Sequence, residues 1–186
     1  MHNHHQLELP SAWVCRFMPL VRAGGRVLDV ACGGGRHARF CAERGYLVEA
    51  VDRDPQALRG LAAIAGVNTR VADLEEGEWP YSGQRFDAVV VTNYLHRPLF
   101  AHLLAAVAPG GVLIYETFAV GNERYGRPSN PDFLLRPGEL LQVMHGRLEV
   151  TAYENLAVEI PKPALVQRVC AIDCAGASSF DRKSAD

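Results

Sequence analysis

At 186 residues, with 48% apolar composition and a net charge of −2, the chain has material for one folded core and lacks a broad electrostatic footprint for nucleic acid or an anionic membrane surface. No apolar run reaches the roughly 18 residues of a bilayer span, and no secretory signal pattern opens the chain. The five cysteines show neither paired nor zinc-like spacing, which implies reduced thiols in a cytoplasmic protein and no metal centre.

We expect one domain over residues 1–186, with residues 1–9 (including His2, His4 and His5) and 175–186 as flexible ends. Pro10 and Ser11 signal a helix start; Trp13, Phe17, Leu20 and Val21 recur at helical spacing until Gly24-Gly25. Val27, Leu28, Val30 and Ala31 form an apolar run suited to a buried parallel strand, followed by the turn Gly33-Gly34-Gly35 and a helix over 36–44. A strand over 46–51 ends in Asp52. Asp54, directly before Pro55, fits the cap of a helix to about Ala65, which leaves Asp52 for a ligand. Residues 67–71 predict a third strand ending in Ala72-Asp73-Leu74. Glu75, Glu76 and Glu78 read as a solvated acidic patch.

Residues 86–91 form the most hydrophobic strand, followed by Thr92-Asn93-Tyr94-Leu95-His96-Arg97. Ligands of open α/β sheets bind beyond the carboxyl ends of the strands, so these residues face the expected crevice. Residues 98–107 predict a helix closed by Pro109-Gly110-Gly111, and 112–115 a fifth strand ending in Glu116. The irregular stretch 118–137 carries Arg124, Arg127 and Arg136 beside Tyr125 and Phe133, the composition of a binding loop or of an ordinary surface loop held by its prolines. A helix over 139–144 and strands over 148–153 and 165–172 close the pattern.

The glycine turn and the helix that follows suit a nucleotide-type cofactor. Gly33, Gly35, Ala38 and Asp52 fit a dinucleotide fingerprint, but Asp29 inside the strand would repel a pyrophosphate. It would attract the ammonium of S-adenosylmethionine, which has no phosphate. Residues 27–35 resemble the first motif of class I S-adenosylmethionine-dependent methyltransferases. With Asp52, Asp73 and Pro109-Gly110-Gly111 in order, the resemblance covers about residues 27–172. It implies an α/β, Rossmann-like doubly wound seven-stranded sheet in the order 3-2-1-4-5-7-6, with strand 7 antiparallel and helices on both faces. It also implies that Asp29, Ala31, Gly33, Gly35, His37, Asp52, Arg53, Asp73, Leu74 and Asn93 bind S-adenosylmethionine and the product S-adenosylhomocysteine. In this reading Asp52 takes the ribose diol, with helix capping as its competing role, and Asp73 and Leu74 take the adenine.

Gly35-Arg36-His37, the compact size and Pro137-Gly138-Glu139-Leu140 are similar to the tellurite-resistance methyltransferase group. That group carries a histidine before its last strand that is absent here between Tyr153 and Val169, whereas Arg168 fits its arginine. The Asp/Asn-Pro-Pro-Tyr/Phe tetrapeptide of nucleic-acid amino-methyltransferases is also missing. The implied enzyme transfers a methyl group to a small-molecule acceptor, anionic or a thiol or chalcogen, and acts as a monomer or homodimer with no membrane or nucleic-acid partner. Tyr94, His96 and Glu116 are the catalytic candidates, Glu116 equally fitting an ion pair; Tyr94, Arg97, Arg124, Arg127 and Arg168 are the acceptor-binding candidates. The competing readings are an RNA or protein methyltransferase, an NAD(P)-dependent oxidoreductase, and a protein that binds S-adenosylmethionine without turnover.

Overall fold

The computed structural model describes residues 9–174; the expected flexible ends lie outside these residues except for Leu9. Seven strands form one sheet in the order β3-β2-β1-β4-β5-β7-β6. They are β1 (Arg26–Val30), β2 (Leu47–Asp52), β3 (Val67–Val71), β4 (Phe86–Thr92), β5 (Val107–Phe118), β6 (Glu149–Val158) and β7 (Ala164–Ile172). The first five pair in parallel, while β7 runs antiparallel to both β5 and β6. The helices are α1 (Ala12–Phe17), α2 (Arg36–Ala42), α3 (Pro55–Leu58), α4 (Phe100–Ala106) and α5 (Glu139–Met144).

The two-residue period of the strands divides the core. Val90 and Ala88 pack with Trp13, Val14, Phe17, Phe40 and Leu58 on the face covered by α1, α2 and α3. Val89 and Val91 pack with Leu103, Leu104, Leu140 and Met144 on the face covered by α4 and α5. Strands buried on both faces read as continuous apolar runs, which is why β1 and β4 stand out in the sequence. Among the described residues no helix is long and apolar enough to cross a membrane.

Several expected boundaries move. The first helix stops at Phe17, continuing as a 3-10 turn over Met18–Leu20, because Pro19 brings no backbone N–H to extend it. The helix at Pro55 lasts one turn. Leu61 turns inward, fully buried, and packs on the glycine turn: a Cβ added to Gly35 would lie 2.3 Å from Leu61 Cδ1. Pro109-Gly110-Gly111 lies inside β5 rather than before it. The strand starts at Val107, and Gly110 and Gly111 exchange backbone hydrogen bonds with Asp173. The final strands are longer than expected, reaching Val158 and starting at Ala164.

The long loop after β5 is tied down from several sides. The Arg97 guanidinium donates to both Glu139 carboxylate oxygens (2.6 and 3.0 Å) and to the carbonyls of Asp132 and Leu134 (2.7 and 2.9 Å). Arg97 is therefore a pin for this loop, a correction to its expected place in the acceptor pocket, and its charge is already met by Glu139. Asn122, buried, donates to the Pro128 carbonyl and accepts the Leu165 N–H. Burial alone would raise the pKa of Glu139, but Arg97 and Arg136 bring it down to about 2.

Glu139→Gln leaves the Arg97 charge without its partner and is expected to cost about 1–3 kcal/mol of folding stability in urea unfolding. A carboxylate held below its unfolded value of 4.5 contributes stability that is complete above that value and lost as pH falls toward 2. The wild type should therefore lose more stability than Glu139→Gln between about pH 5 and 2.

Candidate functional site: a cleft at the carboxyl ends of the strands

The residues that follow β1, β2, β3 and β4 converge on one side of the sheet. Backbone N–H groups just past β1, β3 and β4 still bond across to the neighbour, Cys32 to Val51, Ala72 to Asp52, and Asn93 to Glu116. Ala31 and Asn93, the first residues after β1 and β4, have φ of 51° and 55°, the left-handed region that costs a non-glycine residue about 1–2 kcal/mol. Both line the cleft, so the strain falls where the chain must turn its backbone toward an occupant.

One part of the cleft, about 180 Å³, is lined by Ala31, Asp52, Arg53, Asp73, Leu74, Glu75 and Tyr94. The adjoining part, about 850 Å³, runs along Gly33-Gly34-Gly35 with Arg36, Arg39, Thr92 and Asn93. The Asp52 carboxylate accepts the Gly33 N–H (2.7 Å) with one oxygen and the Asp54 N–H (2.9 Å) with the other. The helix cap is Asp54, which accepts the Gln56 N–H at 2.8 Å. Asp73 accepts the N–H groups of Glu75 and Glu76, which hold its carboxyl below the usual range and so keep it charged.

Asp29 is 2% exposed, and its Oδ2 has no hydrogen-bond partner. Burial pushes its pKa up to about 7; the Ala38 N–H and the charge of Arg36 offset this in part, and Asp52 adds to it. A buried carboxylate oxygen without a donor is costly and marks a place where a donor, and preferably a cation, would be stabilised.

Of the residues expected around a cofactor, two do not line the cleft, Asp29 and His37. His37 is 2% exposed, and burial, with Arg36 adding to it, lowers its pKa to about 3. Its Nε2 accepts the Ser11 N–H at 3.1 Å, so the ring proton sits on Nδ1, 3.4 Å from Thr92 Oγ1. His37 thus anchors the N-terminal segment. Arg36 and Arg39, on the first turn of α2, line the cleft in its place, and their position directly after the glycine turn was the signal for them in the sequence. Glu75, read as a solvated patch, lines the cleft between Asp73 and Tyr94.

The catalytic and acceptor candidates separate. Tyr94 lines the cleft, its backbone carbonyl held by the Tyr115 hydroxyl at 2.8 Å. Burial and then Glu75 raise its phenol pKa, so it stays protonated. Glu116 accepts from Ser11 Oγ (2.7 Å) and from Arg168 Nη1 (2.9 Å); it is the ion-pair partner rather than a free acid or base. Arg168 is held between Glu116 and Glu154, with its guanidinium over the Trp13 ring, and is not free to bind an acceptor. His96 directly precedes the 3-10 turn over Arg97–Leu99 without a side-chain cap bond, outside the lining of these clefts. Arg124 is exposed on another 3-10 turn, Asn122–Arg124. Arg127 alone of the expected acceptor-binding arginines borders a cleft, about 550 Å³, that continues past Asn93.

A 3-2-1-4-5-7-6 sheet with antiparallel β7 and a cleft over its first four strand ends defines the class I S-adenosylmethionine-dependent methyltransferases. A family model described as a methyltransferase domain matches residues 2–147, and the chain belongs to that family. The ubiquinone biosynthesis O-methyltransferase of Xanthomonas oryzae pv. oryzae is 37% identical over 105 residues, covering 51% of this chain and 44% of that protein. The crystal structure of TehB from Haemophilus influenzae superposes with a TM-score of 0.73 at 15% identity, over 91% of this chain and 64% of that one. A TehB-like S-adenosylmethionine-dependent methyltransferase from Corynebacterium glutamicum gives 0.61 at 20% identity, over 87% and 86%. At such identities the structural likeness is one of fold. The chain spans about half the length of the curated relatives it matches. Family membership and the antiparallel β7 set the nicotinamide reading aside.

The cofactor of this class is S-adenosylmethionine, and the residues present fit it on the orphaned Asp29 Oδ2, an acceptor awaiting a cationic donor. Because Asp29 holds a proton below about pH 7 in the free protein, a bound ammonium must displace that proton. Affinity for S-adenosylhomocysteine should rise from pH 6 to 8 and then level off, by up to about tenfold per unit on the acid side. Calorimetry at several pH values checks this; Asp29→Asn should flatten the profile, and a flat wild-type profile would unseat Asp29.

Proposed function

We propose that this chain is an S-adenosylmethionine-dependent methyltransferase whose acceptor is a small molecule entering past Asn93. The observation that carries the reading is the continuity of the cleft. The part along the glycine turn, the part at Asp52 and Asp73, and a further part of about 230 Å³ against Thr117 and Phe118 are joined through Ala31, Asn93 and Tyr94. These dimensions suit a cofactor and a small ligand end to end.

In this reading Asp29 would hold the ammonium of the cofactor, and Arg36 and Arg39 its carboxylate. Asp52 keeps lone pairs beyond those used by Gly33 and Asp54 and would accept from the ribose hydroxyls. Asp73 and Leu74 would take the adenine edge. When bound, S-adenosylmethionine supplies an electrophilic methyl on its sulfonium sulfur, which an acceptor lone pair takes as the carbon–sulfur bond breaks. Asn93 and Tyr94 then have the task of orienting that lone pair and keeping water away. Tyr94 remains a hydrogen-bond donor, and Glu75 is the carboxylate bordering the same cleft that can receive an acceptor proton. An acceptor that arrives as a thiolate or chalcogen anion needs no such base.

Thermal unfolding with S-adenosylhomocysteine, and separately with NAD(H) and NADP(H), tests the reading. Saturation near a hundred times the dissociation constant should stabilise the protein by about 2.7 kcal/mol with S-adenosylhomocysteine alone. A shift only with a nicotinamide would overturn the reading; a shift without product across a broad acceptor panel would favour binding without turnover. Asp52→Ala is expected to weaken S-adenosylhomocysteine binding by about 1–3 kcal/mol, the scale of polar partners left unpaired. Unchanged affinity in calorimetry would remove Asp52 from the site.

A further inference from the structure

Past Asn93 the cleft changes character. Its inner part is walled by Leu95, Phe118, Pro128 and Phe133, with Glu75 and Tyr94 at the cofactor end. Its outer part keeps Phe118 and Phe133 and adds Arg127 and Lys162. These two cations come from separate segments, Arg127 from the long loop after β5 and Lys162 from the turn between β6 and β7. Lys162 Nζ stands 5.7 Å from the centroid of the Phe118 ring, and Phe133, 49% exposed, offers its ring at the same mouth.

Some cations of the molecule are neutralised by carboxylates and others are not. Arg16, Arg22, Arg70, Arg97, Arg136 and Arg168 all pair with carboxylates. Among the described residues, neither Arg127 nor Lys162 does. Two like charges that border one opening without a counter-ion repel each other and are stabilised by an anion. An inorganic oxyanion would meet that charge but leave the aromatic walls uncovered. A flat apolar body with a negative end would use both, since aromatic faces gain most from a partner that buries them. Glu75 fixes the direction: a carboxylate at the inner end repels an anion there and favours a neutral nucleophile.

Resting on the methyltransferase reading above, we propose that the acceptor is an aromatic organic anion. Its ring lies against Phe118 and Phe133, its carboxylate meets Arg127 and Lys162, and its hydroxyl or thiol reaches Asn93 and Tyr94. As the acceptor oxygen or sulfur takes the methyl, its proton passes to Glu75 or to water. Arg127 and Lys162 are specificity residues and take no part in the bond changes.

The experiment uses the full chain and matched probes: 6-hydroxy-2-naphthoate and 6-mercapto-2-naphthoate against their neutral carboxamides. Binding of each to the protein saturated with S-adenosylhomocysteine is read by calorimetry, and methyl transfer by mass spectrometry. The acids should exceed the amides by about tenfold or more in affinity and in kcat/KM, the scale of a charge-assisted contact. In the double variant R127Q/K162Q that ratio should fall toward one while the thermal shift with S-adenosylhomocysteine persists. A ratio near one in the wild type, a ratio that survives in the double variant, or no binding of any probe to a protein that does bind S-adenosylhomocysteine would each overturn the acceptor assignment. Failure of S-adenosylhomocysteine to bind would instead overturn the reading on which it rests.

Discussion

The Asp52 carboxylate receives backbone N–H groups from Gly33 on one side and Asp54 on the other, so the glycine turn after β1 and the chain leaving β2 share one anchor. A parallel sheet brings strand ends together but leaves the connecting backbone unspecified; a carboxylate with several lone pairs can fix two connections at once. The positive φ of Ala31 sits next to this anchor, and that of Asn93 is fixed by its hydrogen bond to Glu116 on the neighbouring strand. Strain of this kind persists when the surroundings over-determine it. Here they do so through bonds between backbone and sheet rather than through packing.

Two aspartates near each other, Asp29 and Asp52, are given opposite fates by their surroundings. Asp52 is satisfied by backbone donors and remains part-buried; Asp29 is enclosed, with one oxygen left without a donor. Behind both, two of the arginines expected to bind an acceptor are consumed by structure. Arg97 holds the long loop and Arg168 joins β5, β6 and α1, while Arg36, Arg39, Arg53, Arg127 and Lys162 border the clefts.

β1 and β4 were legible because burial on both faces writes them as apolar runs; β3, a more exposed edge strand, and α5 also fall at their expected residues, Val67–Val71 and Glu139–Met144. Strand order was not written in the residues themselves and came through the resemblance to a family. Local signals failed where distant packing won. Leu61 closes on Gly35 and ends α3 early, and pairing with Asp173 draws Gly110 and Gly111 into β5. The convergence of Asp52, Asp73 and Asn93 was readable from their places at strand ends. The fate of the arginines was not, because Arg97 finds Glu139 across 42 residues and Arg168 finds Glu116 across 52. Only the folded chain shows which charges are cancelled. Lys162, in the turn between β6 and β7, shares a cleft with Arg127 for the same reason.

The N-terminal segment is fastened over one flank of the cleft by three contacts: Ser11 N–H to His37, Ser11 Oγ to Glu116, and Arg36 to the Leu9 carbonyl. Leu9 borders the same space as the glycine turn. A molecule that fills this space would therefore lie against a segment whose position is set by α2 and β5, so the cleft borrows part of its wall from residues far along the chain.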